Sequence, residues 1–128
     1  MIIVDTSVWV NALRIAASSE ARVLRSLLDA DEVALAVPVR IELLSGASKQ
    51  DRPRLRRALS ALPVLYPSDE TWHAIDTWVD TAGGAGQCFG VGDLLSAALA
   101  RETGSLLWSL DTDFSRIARL GFVDLYEP

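Results

Sequence analysis

Residues 1–10 read MIIVDTSVWV, and the passage from Ile2 to Ser7 decides the fold. Ile2, Ile3 and Val4 are consecutive β-branched residues with no polar alternation between them. Such a run fits a parallel strand buried on both faces. Asp5 follows at once, the hydroxyls of Thr6 and Ser7 come next, and apolar residues resume at Val8. A carboxylate at that point permits two readings. It can cap the helix that begins there. It can also face a ligand, because open parallel sheets bind ligands beyond the carboxyl ends of their strands.

Working outward, helical patterns cover Val8 to Ala17 and Ser19 to Ala30. In the second, Ala21, Leu24, Leu27 and Leu28 form an apolar stripe among charged residues. Residues 32–37 (EVALAV) read as a second short strand. Pro38 suits the first turn of a helix, where its missing N–H costs nothing; that helix runs to about Leu44 and stops at Ser45-Gly46. A further helix lies in DRPRLRRALSALP, closed by Pro63, and VLY (64–66) is left open between strand and loop. Ser68, with Thr71 three residues on, caps a helix reaching Thr81. GGAG (83–86) is read as the loop that ends it. Good helix formers fill Asp93 to Thr103, and Gly104 stops them. SLLWSL (105–110) is the third clear strand, a short helix spans about Phe114 to Leu120, and FVDLY (122–126) reads as a last strand. Strands alternating with helices predict an α/β fold, with a parallel sheet of about four or five strands in one domain over residues 1–128.

The totals bound the class. Half of the 128 residues are hydrophobic, enough for a sizeable core and against disorder. Twelve basic and 17 acidic residues give a charge of −5. That is not the basic footprint of many nucleic-acid binders, although a metal site can gather many acids in one place. The one cysteine, Cys88, forms no internal disulfide and suits a reducing cytoplasm. No signal-peptide pattern is present, and no apolar run approaches the roughly 18 residues a membrane span needs.

Four acids fall at the ends of these elements. Asp5 follows the first strand and Asp111 follows SLLWSL. Glu42 lies about a turn into the helix after the second strand, and Asp93 opens the helix before the third. Singly, Asp5, Asp93 and Asp111 could be caps or turn residues, and Glu42 an exposed helical acid. Capping explains neither Glu42 nor the apolar neighbours Val4, Ile41, Leu43, Leu94 and Leu110. Four carboxylates in one place need protons or cations to stay together. Hard oxygen donors, with His73 as the only histidine, point to Mg²⁺ or Mn²⁺ rather than zinc. Such a cluster suits two-metal phosphodiester hydrolysis. Thr6, Ser7 and Ser109 are placed to hydrogen-bond the carboxylates, orienting them, or a phosphate oxygen. Asp113 reads first as the N-cap of the last helix, with work beside the site as the alternative.

The segments VDTSVWV, VPVRIELLSGA, VGDLLSAALA and LLWSLDTDFSRIARLGFVDLY, in that order across nearly the whole chain, resemble the PIN-domain family, and within it the VapC-type toxins. The resemblance implies an α/β/α sandwich and a Mg²⁺- or Mn²⁺-dependent endoribonuclease acting on tRNA or ribosomal RNA. It also implies a homodimer and a cognate antitoxin that inserts a C-terminal segment near the active site. Residue by residue, Asp5, Glu42, Asp93 and Asp111 match the family's four acids. Thr6 and Ser7 match the hydroxyls beside the first, and Ser109 the hydroxyl before the fourth. Two departures stand out. Ser96 replaces an apolar residue of the third motif, and GGAGQCFGVG before that motif holds no basic residue to meet a phosphate.

For contacts to RNA or antitoxin the candidates are Arg52, Arg54, Arg56 and Arg57 in the one dense basic stretch, Arg40 before Glu42, and Trp9 as a base-stacking ring. The basic stretch reads first as a solvated helix face or one that binds an acidic antitoxin segment, and second as a contact to the RNA backbone. Trp108 reads as core, and Trp72 and Trp78 as helix packing or dimer contacts. Two other classes compete. A Mg²⁺-dependent phosphoryl-transfer or receiver-type domain also gathers acids at strand ends, but it needs a lysine at a late strand end, and the single lysine, Lys49, falls in a loop. A non-catalytic binding module would use the acids as caps.

Overall fold

The computed structural model describes residues 1–128. Four strands form one parallel sheet: β1 (Ile2–Val4), β2 (Val33–Ala36), β3 (Val64–Leu65) and β4 (Leu106–Trp108). Their order is β3-β2-β1-β4. Ile2 lies opposite Val33 on one side and Leu106 on the other. Every residue of β1 and β2 is buried, so both faces of the sheet are covered, as the unbroken apolar runs require. Seven helices cover them: α1 (Thr6–Arg14), α2 (Ser19–Asp29), α3 (Val37–Gly46), α4 (Arg52–Leu59), α5 (Asp69–Gly84), α6 (Val91–Glu102) and α7 (Asp113–Arg119).

The strand order fixes where a ligand can sit. From β1 the chain moves one way to β2 and β3, and only later to β4 on the other side. A crevice opens beyond the carboxyl ends where the order reverses, between the residues after β1 and those after β4. α6 crosses the centre of the molecule and packs on α3, α5 and three strands. Leu94 to Ala100 are buried without a break, the pattern of a helix surrounded by protein. Alanines at 97, 98 and 100 let its neighbours come close. A core cluster of 25 buried residues holds the sheet to its helices, and a smaller one of Ile75, Leu94, Leu95 and Ala98 holds α5 to α6.

Several local expectations need correction. FVDLY is not a strand. Leu125 makes a single parallel bridge to Leu107, through Leu107 N–H to Asp124 O and Tyr126 N–H to Leu107 O. Phe122 and Val123 are buried as core instead. VLY does contribute a strand, β3. Gly83 and Gly84 lie inside α5; Ala85 is its C-cap, and Gly86 follows with a φ of 72°, which suits a residue without Cβ. The N-cap of α6 is Gly90, so Asp93 stands inside the first turn rather than at the cap.

Candidate active site

Asp5 does two jobs. It is the N-cap of α1, and it is 7% exposed. Its Oδ2 accepts from Ser7 Oγ at 2.8 Å, from Ser109 Oγ at 2.7 Å and from Ser7 N–H at 3.4 Å. All three bonds fall on one oxygen, so Oδ1 remains for a ligand. Ser7 Oγ also accepts from Leu110 N–H at 3.0 Å, and Ser109 Oγ from Asp111 N–H at 3.0 Å. The two serines thus join the end of β1 to the turn after β4. Thr6 Oγ1 is buried without a hydrogen-bond partner and makes no bond to Asp5.

Beyond β4 the chain turns back into α7. Asp113 is not the N-cap of that helix. Thr112 is, and Asp113 donates its backbone N–H to Asp111 Oδ1 at 2.9 Å. The turn brings Asp113 to the site: single carboxylate oxygens of Asp93, Asp111 and Asp113 lie within 4.8 Å of one another. Asp93 is half-buried, and its carboxyl is raised from 3.8 to about 6. Burial is the largest cause, followed by the negative charges of Asp5, Asp111, Asp113 and Glu42. Asp93, Asp111 and Asp113 thus lie together, and the charges of Asp5 and Glu42 are near enough to act on Asp93. A Cβ on Gly92 would come within 3.3 Å of Glu42 Oε1, so Glu42 reaches across to the first turn of α6. The donor set, entirely carboxylate, fits a hard divalent cation.

The remaining candidates divide. Trp9 is 7% exposed and belongs to the core, so no base can stack on its ring. Arg40, two residues before Glu42 on α3, is half-buried, with Nη1 unpartnered. Arg52 holds the end of α3, donating to Leu44 O and Ala47 O at 2.9 and 3.0 Å. Arg54 pairs with Asp51, and Arg56 and Arg57 are exposed on α4. The apolar crowding is also incomplete, since Ile41 and Leu110 are exposed. Trp108 is core, and Trp78 stacks on Phe122 at 4.4 Å.

With the site described, comparison with known proteins decides its kin. The family model described as "PIN domain" matches residues 2–120. This chain belongs to the PIN-domain family. Its PIN relatives include the VapC ribonuclease Mb1587 of Mycobacterium bovis, 35% identical over 125 residues, 94% of this chain and 93% of the relative. Ribonuclease VapC18 of Mycobacterium tuberculosis is 31% identical, covering 91% and 87%. The PIN fold is shared with solved structures. VapBC2 from Rickettsia felis bound to a promoter DNA fragment superposes with a TM-score of 0.78 at 22% identity over 98% of both chains. FitAB bound to the IR36 DNA fragment gives 0.81 at 20% identity, over 98% and 94%. The chain also places a residue that the sequence did not single out, Arg116, against Asp113.

Proposed function

We propose that this chain is a metal-dependent endoribonuclease and the toxin of a toxin–antitoxin pair, hydrolysing RNA of the tRNA or ribosomal class in the cytoplasm. The observation that carries this reading is the set of four carboxylates, Asp5, Glu42, Asp111 and Asp113, whose charges act on Asp93. The VapC ribonuclease names of the relatives and the toxin–antitoxin complexes among the structural neighbours support it. Asp5, Glu42, Asp93 and Asp111 would hold Mg²⁺ or Mn²⁺, with Asp113 beside them. The metal, when bound, polarises the phosphate and makes a water nucleophilic near neutral pH. The protein's own part is to hold the acids in place. Ser7 and Ser109 fix one oxygen of Asp5 and leave the other free of their bonds, while the buried end of β1 keeps the carboxylate from swinging away.

Two surfaces support the partner part of this reading. A groove of about 670 Å³ runs from Glu42 past Val10, Leu13, Leu43 and Leu55, with Arg14 and Arg54 on its walls. Apolar anchors flanked by both signs of charge suit an amphipathic antitoxin segment ending at the acids. Trp72 and Val79, seven apart on α5, are exposed on one helix face and suit a homodimer contact. No helix is long and apolar enough to cross a membrane.

The test is cleavage of total RNA by the purified chain with Mg²⁺ or Mn²⁺ and with EDTA. Cutting is expected only with metal, and not in Asp5→Asn or Asp93→Asn. Induced expression should arrest growth, and sequencing RNA ends after a short pulse should name the target. Arrest that persists in Asp5→Asn would refute the reading.

A further inference from the structure

An RNA phosphate nearing the acids from the side of residues 83–92 meets no basic residue in that stretch. α7 provides one. Arg116, one turn into α7, bonds Asp113 Oδ1 through Nη2, and its guanidinium carbon lies 5.7 Å from the centroid of the Phe89 ring. Phe89 belongs to the stretch without a cation and is itself packed against both apolar clusters. The guanidinium is therefore held on two sides, by an aromatic ring and by one of the three acids that lie closest together. It is still 44% exposed, and its one hydrogen bond leaves most of its five N–H donors free. An exposed ion pair one turn apart on a helix adds little stability, so stability does not explain a cation fixed at the rim of a carboxylate site.

We propose that Arg116 is a phosphate-binding residue that positions the RNA backbone beside the acids. The inference rests on the nuclease reading above. Phe89 sets the height of the guanidinium, Asp113 its direction, and the free edge of the fork donates to two oxygens of a phosphodiester flanking the bond to be cut. It is a positioning residue: it binds the chain being cleaved and takes no proton.

The experiment measures binding of a short fluorescein-labelled mixed-sequence RNA in EDTA across a salt series, and steady-state cleavage of the same RNA with Mn²⁺. Arg116→Ala should raise KM roughly tenfold with a smaller change in kcat, and lower the slope of log affinity against log salt by about 0.7, the share of one phosphate contact on a single strand. Arg116→Lys should restore the slope but not all of KM, since an ammonium cannot reproduce the fork. Arg119→Ala removes the same charge from the same helix, where Nε is bonded to Ser115 O, and should leave the slope unchanged. Equal losses in Arg116→Ala and Arg119→Ala, or none in the former, would overturn the proposal. A wild-type chain that binds the RNA without cutting it would refute the nuclease reading, and the salt slope would still decide Arg116. A chain that neither binds nor cuts refutes both.

Discussion

Asp93 holds a proton in the folded, metal-free chain at a pH where it would have lost it when unfolded. Its carboxyl is raised to about 6 from 3.8, so between those values the native state binds more protons than the unfolded one. Stability then falls as pH rises: the contribution is complete below 3.8 and gone above about 6. A cation competes with that same proton. Mn²⁺ affinity by titration calorimetry should therefore strengthen about tenfold per pH unit below about pH 6 and level off near neutrality. In Asp93→Asn the affinity should be weaker and the slope flatter. An affinity unchanged between about pH 5 and about pH 7 would remove Asp93 from the ligands. Gly92 offers a second probe. Alanine there favours the helix by up to about 1 kcal/mol, while its Cβ presses on the exposed, movable Glu42 side chain from 3.3 Å. Gly92→Ala should hold or raise the melting temperature yet weaken Mn²⁺ binding several-fold; unchanged binding would show that Glu42 is not held there.

Among the elements, the pairing of α5 with α6 shows how a buried polar residue sets a helix in place. Thr71 is fully buried. It closes a capping box with Ser68, accepting from Ser68 N–H at 3.0 Å, and donates to Glu102 Oε2 at the far end of α6, also at 3.0 Å. Thr71→Val keeps the shape and leaves that N–H without its partner, which costs about 1–3 kcal/mol. Urea unfolding should show this as a lower midpoint with the slope unchanged. Elements with such local signals were readable in advance: the capping pair of α5, the apolar run of β1, and the small residues of α6. What could not be read depends on tertiary geometry. FVDLY has a strand's composition, but only Leu125 reaches the edge of β4, while Phe122 is drawn into the core under Trp78. Trp9 follows the first acid closely, yet the phase of α1 turns Val8 and Trp9 inward. Asp5, Asp93 and Asp111 were legible because each lies at or near the end of an element, and Glu42 because capping does not explain an acid inside α3. Asp113 as a site member and Arg116 were not, because the turn from Asp111 into α7 sets their directions and no spacing encodes it.

At the scale of the whole molecule, a chain of net charge −5 concentrates five of its 17 acids at one end of its sheet. That arrangement works against the metal-free fold, since like charges held close repel and one must keep a proton. The same repulsion makes the fold depend on what neutralises it. A cation that binds the native state and not the unfolded one adds RT ln(1 + [L]/Kd), about 2.7 kcal/mol at a hundredfold excess over Kd. For a chain of this length that is a rise of about 10 °C in Tm. Thermal melts with Mn²⁺ should show the rise and EDTA should reverse it. The gain should be small near pH 5, where Asp93 keeps its proton, and full near neutrality. Asp5→Asn combined with Asp93→Asn should melt higher than wild type in EDTA, because the crowding is relieved, and should gain almost nothing from Mn²⁺. If instead the double variant melts lower in EDTA and still gains the full shift from metal, then the five acids are not one electrostatic unit, and the cation that stabilises the chain sits elsewhere.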